Sequence, residues 1–344
     1  GGGRMIINNF KTLRNSDFYT GAFPAEFGNS TAGVFDLKLR NGNSEKHEFS
    51  GMFGLFGVEA FAEGPLSKKS GASYLVNYRY STISLFLAAG IDVGTTSQPT
   101  YQDASIRLNF PQKNGAELAL WGMGGQSYTE ILVSDKTEDV QELYGDSDRD
   151  QLFGSNVGVM GLTYSYPMNK NVFWKSTLAA SNQTVKATHY RIVSRDTLDD
   201  GTYDLSSVVR TPLLDYTFSE TKYTLSSSIY KKLKPGKVLK FGIMTDVYDL
   251  SYHDSVRVED DGLWPASNDW NVRWNADDVA MMFQYYAQYK HDFSQRLVAN
   301  VGVHGTYLSL SNSLSAFEPR LGLKWRMAPR TSLNFGTGLH SQMQ

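Results

Sequence analysis

The sequence comprises 344 residues with a formal net charge of −2, no cysteine, and 13% aromatic residues, among them 20 Tyr and 19 Phe. This length allows one large domain or two ordinary ones, and the nearly balanced charge argues against electrostatic binding of nucleic acid. The lack of cysteine excludes a disulfide framework, and no stretch approaches the roughly 20 apolar residues that a membrane-spanning helix needs.

The amino-terminal stretch differs in composition and residue pattern from the rest of the chain. Residues 18–43 read FYTGAFPAEFGNSTAGVFDLKLRNGN, rich in Gly and small residues, and pass into a short alternating strand. Glycines at 21, 28 and 33 permit tight turns, so we expect a compact unit here. No signal peptide is visible in the sequence, and the opening GGGRMIINNF looks like the interior of a longer protein.

From residue 46 onward, apolar and polar residues alternate with the period of a β-strand. In 72–80, for example, Tyr74, Val76 and Tyr78 take one face while Arg79 takes the other. The same alternation recurs in 103–110, 279–290, 297–304, 320–327 and 333–340. Helical periodicity is nearly absent, so the chain is predicted to be all-β.

One segment departs from this pattern. In 216–229 the apolar residues change from one parity to the other near Thr221. We interpret the change as a β-bulge or a misplaced strand boundary.

The connections alternate between short basic turns and long acidic loops. The short turns read PLSKKSG, PQKNG, PMNKN, KLKPGK, HDFSQR and MAPRTS, whereas the largest loops span about 128–151, 191–212 and 254–275. Tight turns at one rim and long loops at the other are typical of a transmembrane β-barrel. Aromatic residues beside the short turns suggest a girdle at a lipid–water boundary: Phe110, Tyr166, Phe173, Trp174, Tyr230, Tyr289 and Trp325.

A soluble β-sandwich is the alternative, with these rings as ordinary cross-strand pairs. Its strands would be shorter, usually about five or six residues, and its inward faces would be apolar. Here the second face is polar along whole strands, as a wet lumen tolerates. We therefore predict that Tyr74, Val76, Tyr78, Phe283, Tyr285, Leu323 and Trp325 face lipid, and that Arg79, Arg107, Gln284, Asn300, His304 and Lys324 face the lumen.

The opening stretch resembles the plug-to-barrel junction of TonB-dependent outer-membrane receptors, and is closest to the variety common in Bacteroidota. The matching positions are Phe18, Gly21, Phe27-Gly28, Gly33, the strand 34–39, Arg40 and Gly42. The next residues, EFSGMFGLFGVEAFAEGPLSKKSGASYLVNYRYS, resemble the first strands of that barrel, and the final FGTGLHSQMQ is similar to a mid-barrel strand. The resemblance is specific at the junction and generic in the strands.

The resemblance implies a transmembrane antiparallel barrel of about 22 strands behind a plug domain. Residues 1–45 would be the carboxyl-terminal part of the plug, and 46–344 the amino-terminal portion of the barrel, with about 13 strands from Glu48. Hydrocarbon tolerates no open sheet edge, so we expect this chain to be part of a longer polypeptide. The family's amino terminus is periplasmic, which places the short turns in the periplasm, the long loops outside, and the first outer reversal near 54–57.

The resemblance also implies a function at the cell outer membrane. The chain would bind and actively import a bulky nutrient such as a glycan, peptide or siderophore, powered by the TonB–ExbB–ExbD complex through a segment outside this chain. Membrane lipid surrounds such a barrel, and a substrate-capturing surface lipoprotein is a further candidate partner. The alternative is an outer-membrane barrel that acts in binding or secretion without importing a nutrient.

Candidate ligand contacts lie in the junction and in the third long loop. They are the Phe23-Pro24 pair, Glu26, Phe27, Asn29, Trp264 and Trp270. No catalytic constellation is present, so we expect neither an enzyme nor a cofactor, and the six His residues lack metal-ligand spacing. The run 146–150 partly resembles a calcium loop but lacks its turn Gly and final Glu, so solvated loop carboxylates are the preferred interpretation.

Overall fold

The computed structural model describes residues 10–20, 23–54, 57–82, 100–138, 145–257 and 269–343. Within these ranges a small hairpin pairs β1 (Asp17–Thr20) with β2 (Gly33–Asp36). Thirteen further strands form one sheet. They are β3 (Glu48–Gly54), β4 (Gly57–Ser67), β5 (Ala72–Tyr80), β6 (Thr100–Pro111), β7 (Glu117–Ile131), β8 (Arg149–Asn169), β9 (Val172–Ser194), β10 (Val209–Lys234), β11 (Lys237–Arg257), β12 (Trp270–Asp292), β13 (Leu297–Leu308), β14 (Ser313–Ala328) and β15 (Thr331–Gly338).

Each strand of the large sheet pairs antiparallel with its neighbours in sequence. The order runs without a crossover from β15 to β3, and these two strands are its edges. For the described residues, the predicted all-β architecture, its thirteen sheet strands and their start at Glu48 are therefore confirmed. Residues 55 and 56, where the first outer reversal was expected, lie outside the described ranges. Gly54 and Gly57 on either side of them are register partners.

The register divides the sheet into two faces of opposite character. On the face that carries the amino-terminal segment, which we call the inner face, polar side chains are buried. They include Glu59, Glu63, Ser73, Asn77, Asp103, Asn109, Asp246, Gln284, His304, Thr306, Glu318 and Arg320. The other face exposes large apolar side chains, among them Ile106, Leu120, Leu162, Leu178, Leu225, Ile243, Tyr285, Val301, Trp325 and Phe335. A soluble sandwich requires the reverse arrangement.

The central strands are longer than any bilayer crossing requires. Strands β8 to β12 have 21 to 26 residues, whereas about 9–11 tilted residues span the hydrocarbon. If the apolar part of the outer face had the height of a bilayer, the ends of these strands next to the long loops would extend well beyond it.

The bulge predicted near Thr221 is wrong. The pairing of β10 with β11 is continuous from Leu214 to Lys232, and shifts occur only near the strand ends. Instead, the two faces exchange character along the strand. From Thr221 toward the short turn, the outer face is apolar, with Tyr223 and Leu225 exposed. From Thr221 toward the long loop, the aromatic residues Tyr216 and Phe218 lie on the inner face. The apolar parity therefore changes at a continuous register, because the outer face becomes polar at Ser219 and Thr217 while the inner face becomes aromatic at Phe218 and Tyr216.

The aromatic row beside the short turns also differs in part from its prediction. Trp174, Tyr289 and Trp325 lie on the outer face, as do Phe110 and Tyr166. Phe173 and Tyr230 are register partners on the inner face, next to the pair formed by Lys175 and Ser228. The row therefore contributes five rings to the outer surface rather than seven.

Helical structure is limited to two short 3₁₀ turns in the described part of the chain, Phe10–Thr12 and Leu205–Ser207. No helix in that part combines the length and the apolar character that crossing a membrane would require.

Candidate functional site

The amino-terminal segment, described over residues 10–20 and 23–47, lies against the inner face of the sheet at two places. One contact joins residues 11 and 40–43 to strands β3 to β6, and the other joins residues 23–31 to β11 to β15 and the residues after them. Both contacts are built mainly from charged and hydrogen-bonding groups. Together they hold the segment across the polar inner face.

The first contact centres on Glu63 of β4. Its carboxylate accepts two hydrogen bonds from the Arg40 guanidinium, at 2.6 and 2.7 Å, and one from the backbone N–H of Asn43 at 2.9 Å. The bidentate geometry is the strong form of an arginine–carboxylate pair. It raises the pKa of the Arg40 guanidinium against the opposing effect of burial. This pair fixes the point at which the segment passes into the sheet.

Further contacts beside Glu63 bring the backbone of the amino-terminal segment close to the backbone of the sheet. Lys11 Nζ lies 3.2 Å from Glu59 Oε1, and Arg107 Nε donates to Asn41 Oδ1 at 2.7 Å. A Cβ at Gly42 would lie only 1.9 Å from the carbonyl oxygen of Tyr74. Glycine at position 42 is therefore required by space, since backbone cannot swing aside as a side chain can.

The second contact centres on Arg320 and Glu318 of β14, whose side chains are 4% and 2% exposed. Arg320 Nη2 donates to Glu318 Oε2 at 3.0 Å, while Nη1 donates to the carbonyl oxygens of Pro24, at 3.0 Å, and Phe27. Ser315 Oγ also donates to Glu318, at 2.8 Å. The buried pair is thus stabilised by further hydrogen bonds, as burial of two charges demands.

His304 of β13 completes this group, which we call the Arg320 cluster (His304, Glu318 and Arg320). Its Nδ1 lies 2.7 Å from the carbonyl oxygen of Ala25, and its Nε2 lies 3.0 Å from Thr306 Oγ1. A carbonyl oxygen only accepts, so Nδ1 carries the proton in this contact. A Cβ at Gly28 would lie 2.0 Å from His304 Nε2, which shows how closely the segment approaches the wall.

Aromatic and ionic contacts surround the cluster. Phe23, 1% exposed, lies between the Arg320 guanidinium carbon, 5.0 Å from the ring centre, and the His340 ring at 4.2 Å. Burial and the nearby Arg320 charge lower the pKa of His340. Glu26 forms an ion pair with Lys240 of β11. The segment is therefore anchored by side chains from several strands at once.

The junction residues predicted as ligand contacts all lie in this contact. Phe23 is buried, and the Pro24 carbonyl is bound by Arg320. Phe27 packs against Tyr19 with 5.4 Å between ring centres, and Asn29, with a φ of 50°, accepts the Met343 N–H at 2.7 Å. In this structure their groups are directed to the chain's own wall, and their role toward a ligand stays a prediction.

The two loop tryptophans are separate from that contact. Trp264 lies outside the described residues. Trp270 opens β12 at the long-loop end, 39% exposed, with the Arg257 guanidinium 5.6 Å from its ring centre. The six residues predicted to face the lumen share the inner face: Arg79, Arg107, Gln284, Asn300, His304 and Lys324.

Sequence reasoning missed an aromatic groove on the inner face near the long loops. Four neighbouring strands line it, and its cavity measures about 560 Å³. The lining residues are Gln183, Val185, Tyr216, Phe218, Glu220, Tyr252 and Trp274. The available signal was the parity change near Thr221, which placed Tyr216 and Phe218 on the inner face. Among the described residues, no group of three or more His, Asp or Glu side chains could hold a metal ion.

Comparison with known proteins shows likeness in structure and none in sequence. No protein-family model and no curated protein sequence matches the chain. The fold matches a mutant of the ferric enterobactin receptor PfeA of Pseudomonas aeruginosa, with a TM-score of 0.59 at 14% identity, covering 95% of this chain and 48% of that one. It also matches the pyoverdine outer membrane receptor FpvA of P. aeruginosa bound to pyoverdine, with a TM-score of 0.64 at 13% identity, covering 93% and 50%.

A third match is the FpvAI–pyocin S2 complex, with a TM-score of 0.63 at 12% identity, covering 93% of this chain and 44% of that one. The chain thus spans about half the length of the receptors it matches. At this identity the likeness concerns the fold. The chain has the fold of the TonB-dependent receptors, as the junction motif predicted.

Proposed function

We propose that the chain is part of a TonB-dependent receptor of the cell outer membrane that binds a bulky nutrient and actively imports it. Residues 1–45 would be the end of the plug domain and 46–344 the first part of the barrel. The shared fold supports this proposal, because the matched proteins are described as receptors. A non-catalytic role is compatible with the same likeness.

The observation that carries the proposal is the polar contact between the amino-terminal segment and the inner face. Arg320 binds two backbone carbonyls of the segment, and Glu63 binds Arg40. Water can replace such hydrogen bonds when the segment leaves the wall, whereas an apolar contact would expose hydrocarbon. A segment held in this way obstructs the lumen at rest and can still be displaced. In the proposal, TonB–ExbB–ExbD supplies the displacing force through a segment outside this chain.

The first step of the test identifies the nutrient. Mass spectrometry of small molecules that co-purify with the native protein supplies the compound whose uptake is then measured. We expect uptake in cells with TonB and none in cells without it. Uptake that is equal in both would overturn active import, and binding without any uptake would favour a binding or secretion-associated barrel. A surface lipoprotein that co-purifies would add the partner expected for substrate capture.

An engineered disulfide tests displacement directly, since the chain has no cysteine of its own. The Cβ of Ala25 lies 2.6 Å from the position that a Cβ would take at Gly302, so a small separation reaches the roughly 3.8 Å of a disulfide. The oxidised A25C/G302C variant should bind the compound but not import it. Reduction should restore import, and the A25C single variant is the matched control.

A further inference from the structure

The aromatic groove near the long loops has a definite chemical character. Phe218 stacks on Tyr216 with ring centres 4.9 Å apart and 15° between the planes, and it meets Tyr252 edge to face at 5.4 Å and 79°. Trp274, 58% exposed, completes the lining from β12. Aromatic faces carry negative potential and attract cations positioned over them.

Glu220 adds a negative charge to this groove. It lies on the same face of β10 as Phe218, opposite Gln183 of β9. Its side chain is half-buried, and among the described residues no ion pair or side-chain hydrogen bond engages it. Lys222, two residues further along this face, lies 5.7 Å from the Tyr248 ring centre and forms no ion pair with Glu220. The Glu220 carboxylate is therefore available to a ligand.

The lining contains no cationic side chain. Its seven residues combine four aromatic rings, one carboxylate, one amide and one valine. The loop between β9 and β10, at the same end of the sheet, carries four aspartates at 196, 199, 200 and 204. Its single arginine, Arg195, lies over the Tyr203 ring at 3.4 Å. Both this loop and the groove lining thus favour positive charge.

We infer that the groove binds a positively charged organic group, an alkylammonium or guanidinium, of the ligand that the receptor takes up. The inference rests on the proposed function for the identity of the cargo, but the groove's preference for a cation is independent of transport. The rings surround the cation, Glu220 balances its charge, and Gln183 accepts a hydrogen bond from an N–H donor. An anionic ligand would meet Glu220 without a compensating cation in the lining.

The test uses choline as the cationic probe and 3,3-dimethylbutanol, its uncharged isostere, as the neutral one. Each is titrated into the purified protein in detergent, and binding is followed by tryptophan fluorescence and calorimetry. We expect choline to bind about tenfold more tightly than the isostere, because only the cation gains from the ring faces. Equal binding of the two probes, or no detectable binding of choline, would overturn the inference.

Variants on the two faces of β10 test whether choline binds in the groove. Glu220→Gln and Phe218→Leu should each weaken choline binding about tenfold and leave binding of the isostere little changed. Asp215→Asn and Tyr223→Leu remove the same chemical groups from the opposite face of β10, where Asp215 accepts from Thr188, and should bind choline normally. Normal choline binding by E220Q and F218L, in protein that melts like the unsubstituted one, would also overturn the inference.

Failure of this inference is distinguishable from failure of the proposed function. A protein that imports its nutrient in a TonB-dependent manner but shows no preference for choline keeps the function and loses the cation site. A protein that binds choline through Glu220 but shows no TonB-dependent uptake keeps the site and loses the import function.

Discussion

Arg320 and Glu318, both on β14, form an ion pair that is almost fully buried beneath the amino-terminal segment, with 3.0 Å between Nη2 and Oε2. The same guanidinium binds the carbonyls of Pro24 and Phe27, which lie about three hundred positions earlier in the chain. One side chain therefore both neutralises a buried carboxylate and holds the segment. Its removal should weaken the fold and the attachment together.

The first prediction concerns Arg320→Met. Removing one partner of a buried pair leaves an uncompensated charge and costs about 3–5 kcal/mol. We expect the lower end of that range, because Ser315 and Ser341 still donate to Glu318. Urea unfolding in detergent measures the loss of stability, and limited proteolysis measures release of the segment.

Two further variants control this prediction. Arg326→Met removes an exposed arginine from the same strand and should change stability by less than about 0.5 kcal/mol. Adding Glu318→Gln to R320M should recover part of the loss, since the buried charge is then gone. A double variant less stable than R320M alone would contradict the account given for the pair.

The second prediction concerns Gly42→Ala. The added methyl group would meet the carbonyl oxygen of Tyr74 at 1.9 Å, so the backbone must shift. We expect a loss of about 1–3 kcal/mol, as for other overpacked sites. Gly322→Ala is the matched control, because a Cβ there meets nothing within 4 Å. Equal melting temperatures for the two variants would show that the close approach at Gly42 does not constrain the fold.

Features set by residues close together in the sequence could be predicted, whereas contacts between residues far apart in the sequence could not. Alternation is local, so Tyr285 and Gln284 reveal opposite faces from their positions alone, and the thirteen strands follow from the same pattern. The Arg320 cluster is not local, because Pro24 and Arg320 are brought together only by the fold. No spacing in the chain indicates that contact. The junction residues were predicted as ligand contacts because the resemblance implies ligand capture at the plug surface.

The parity change near Thr221 was visible in the sequence, but its cause was not. A bulge and an exchange of character between the two faces both move apolar residues to the other parity. The continuous register from Leu214 to Lys232 distinguishes them. The half of β10 next to the long loop can be assigned to a groove only when its 26 residues are recognised as one strand. Alternation alone does not set the length of a strand.

The third prediction compares Val301→Arg with Asn300→Arg on β13. Val301 is 52% exposed on the outer face, beside Tyr289 and Leu321, whereas Asn300 lies on the inner face. Under the proposed membrane location, V301R should cost about 2–4 kcal/mol near the bilayer midplane and less toward a rim. Asn300→Arg should cost much less. Unfolding in liposomes measures both, and equal costs would contradict the assignment of faces.

The last prediction concerns orientation. Lys69, in the turn between β4 and β5, and Asp199, in the loop between β9 and β10, are exposed at opposite ends of the sheet. With the short turns in the periplasm, an impermeant maleimide added to intact cells should label Asp199→Cys and leave Lys69→Cys unlabelled until the outer membrane is permeabilised. These 344 residues contain no cysteine, and the unsubstituted protein is the control for labelling elsewhere in the polypeptide. Labelling of K69C alone in intact cells would show that the barrel is inserted the other way round, and the groove lined by Phe218 and Trp274 would then open toward the periplasm, where no ligand from outside the cell could reach it first.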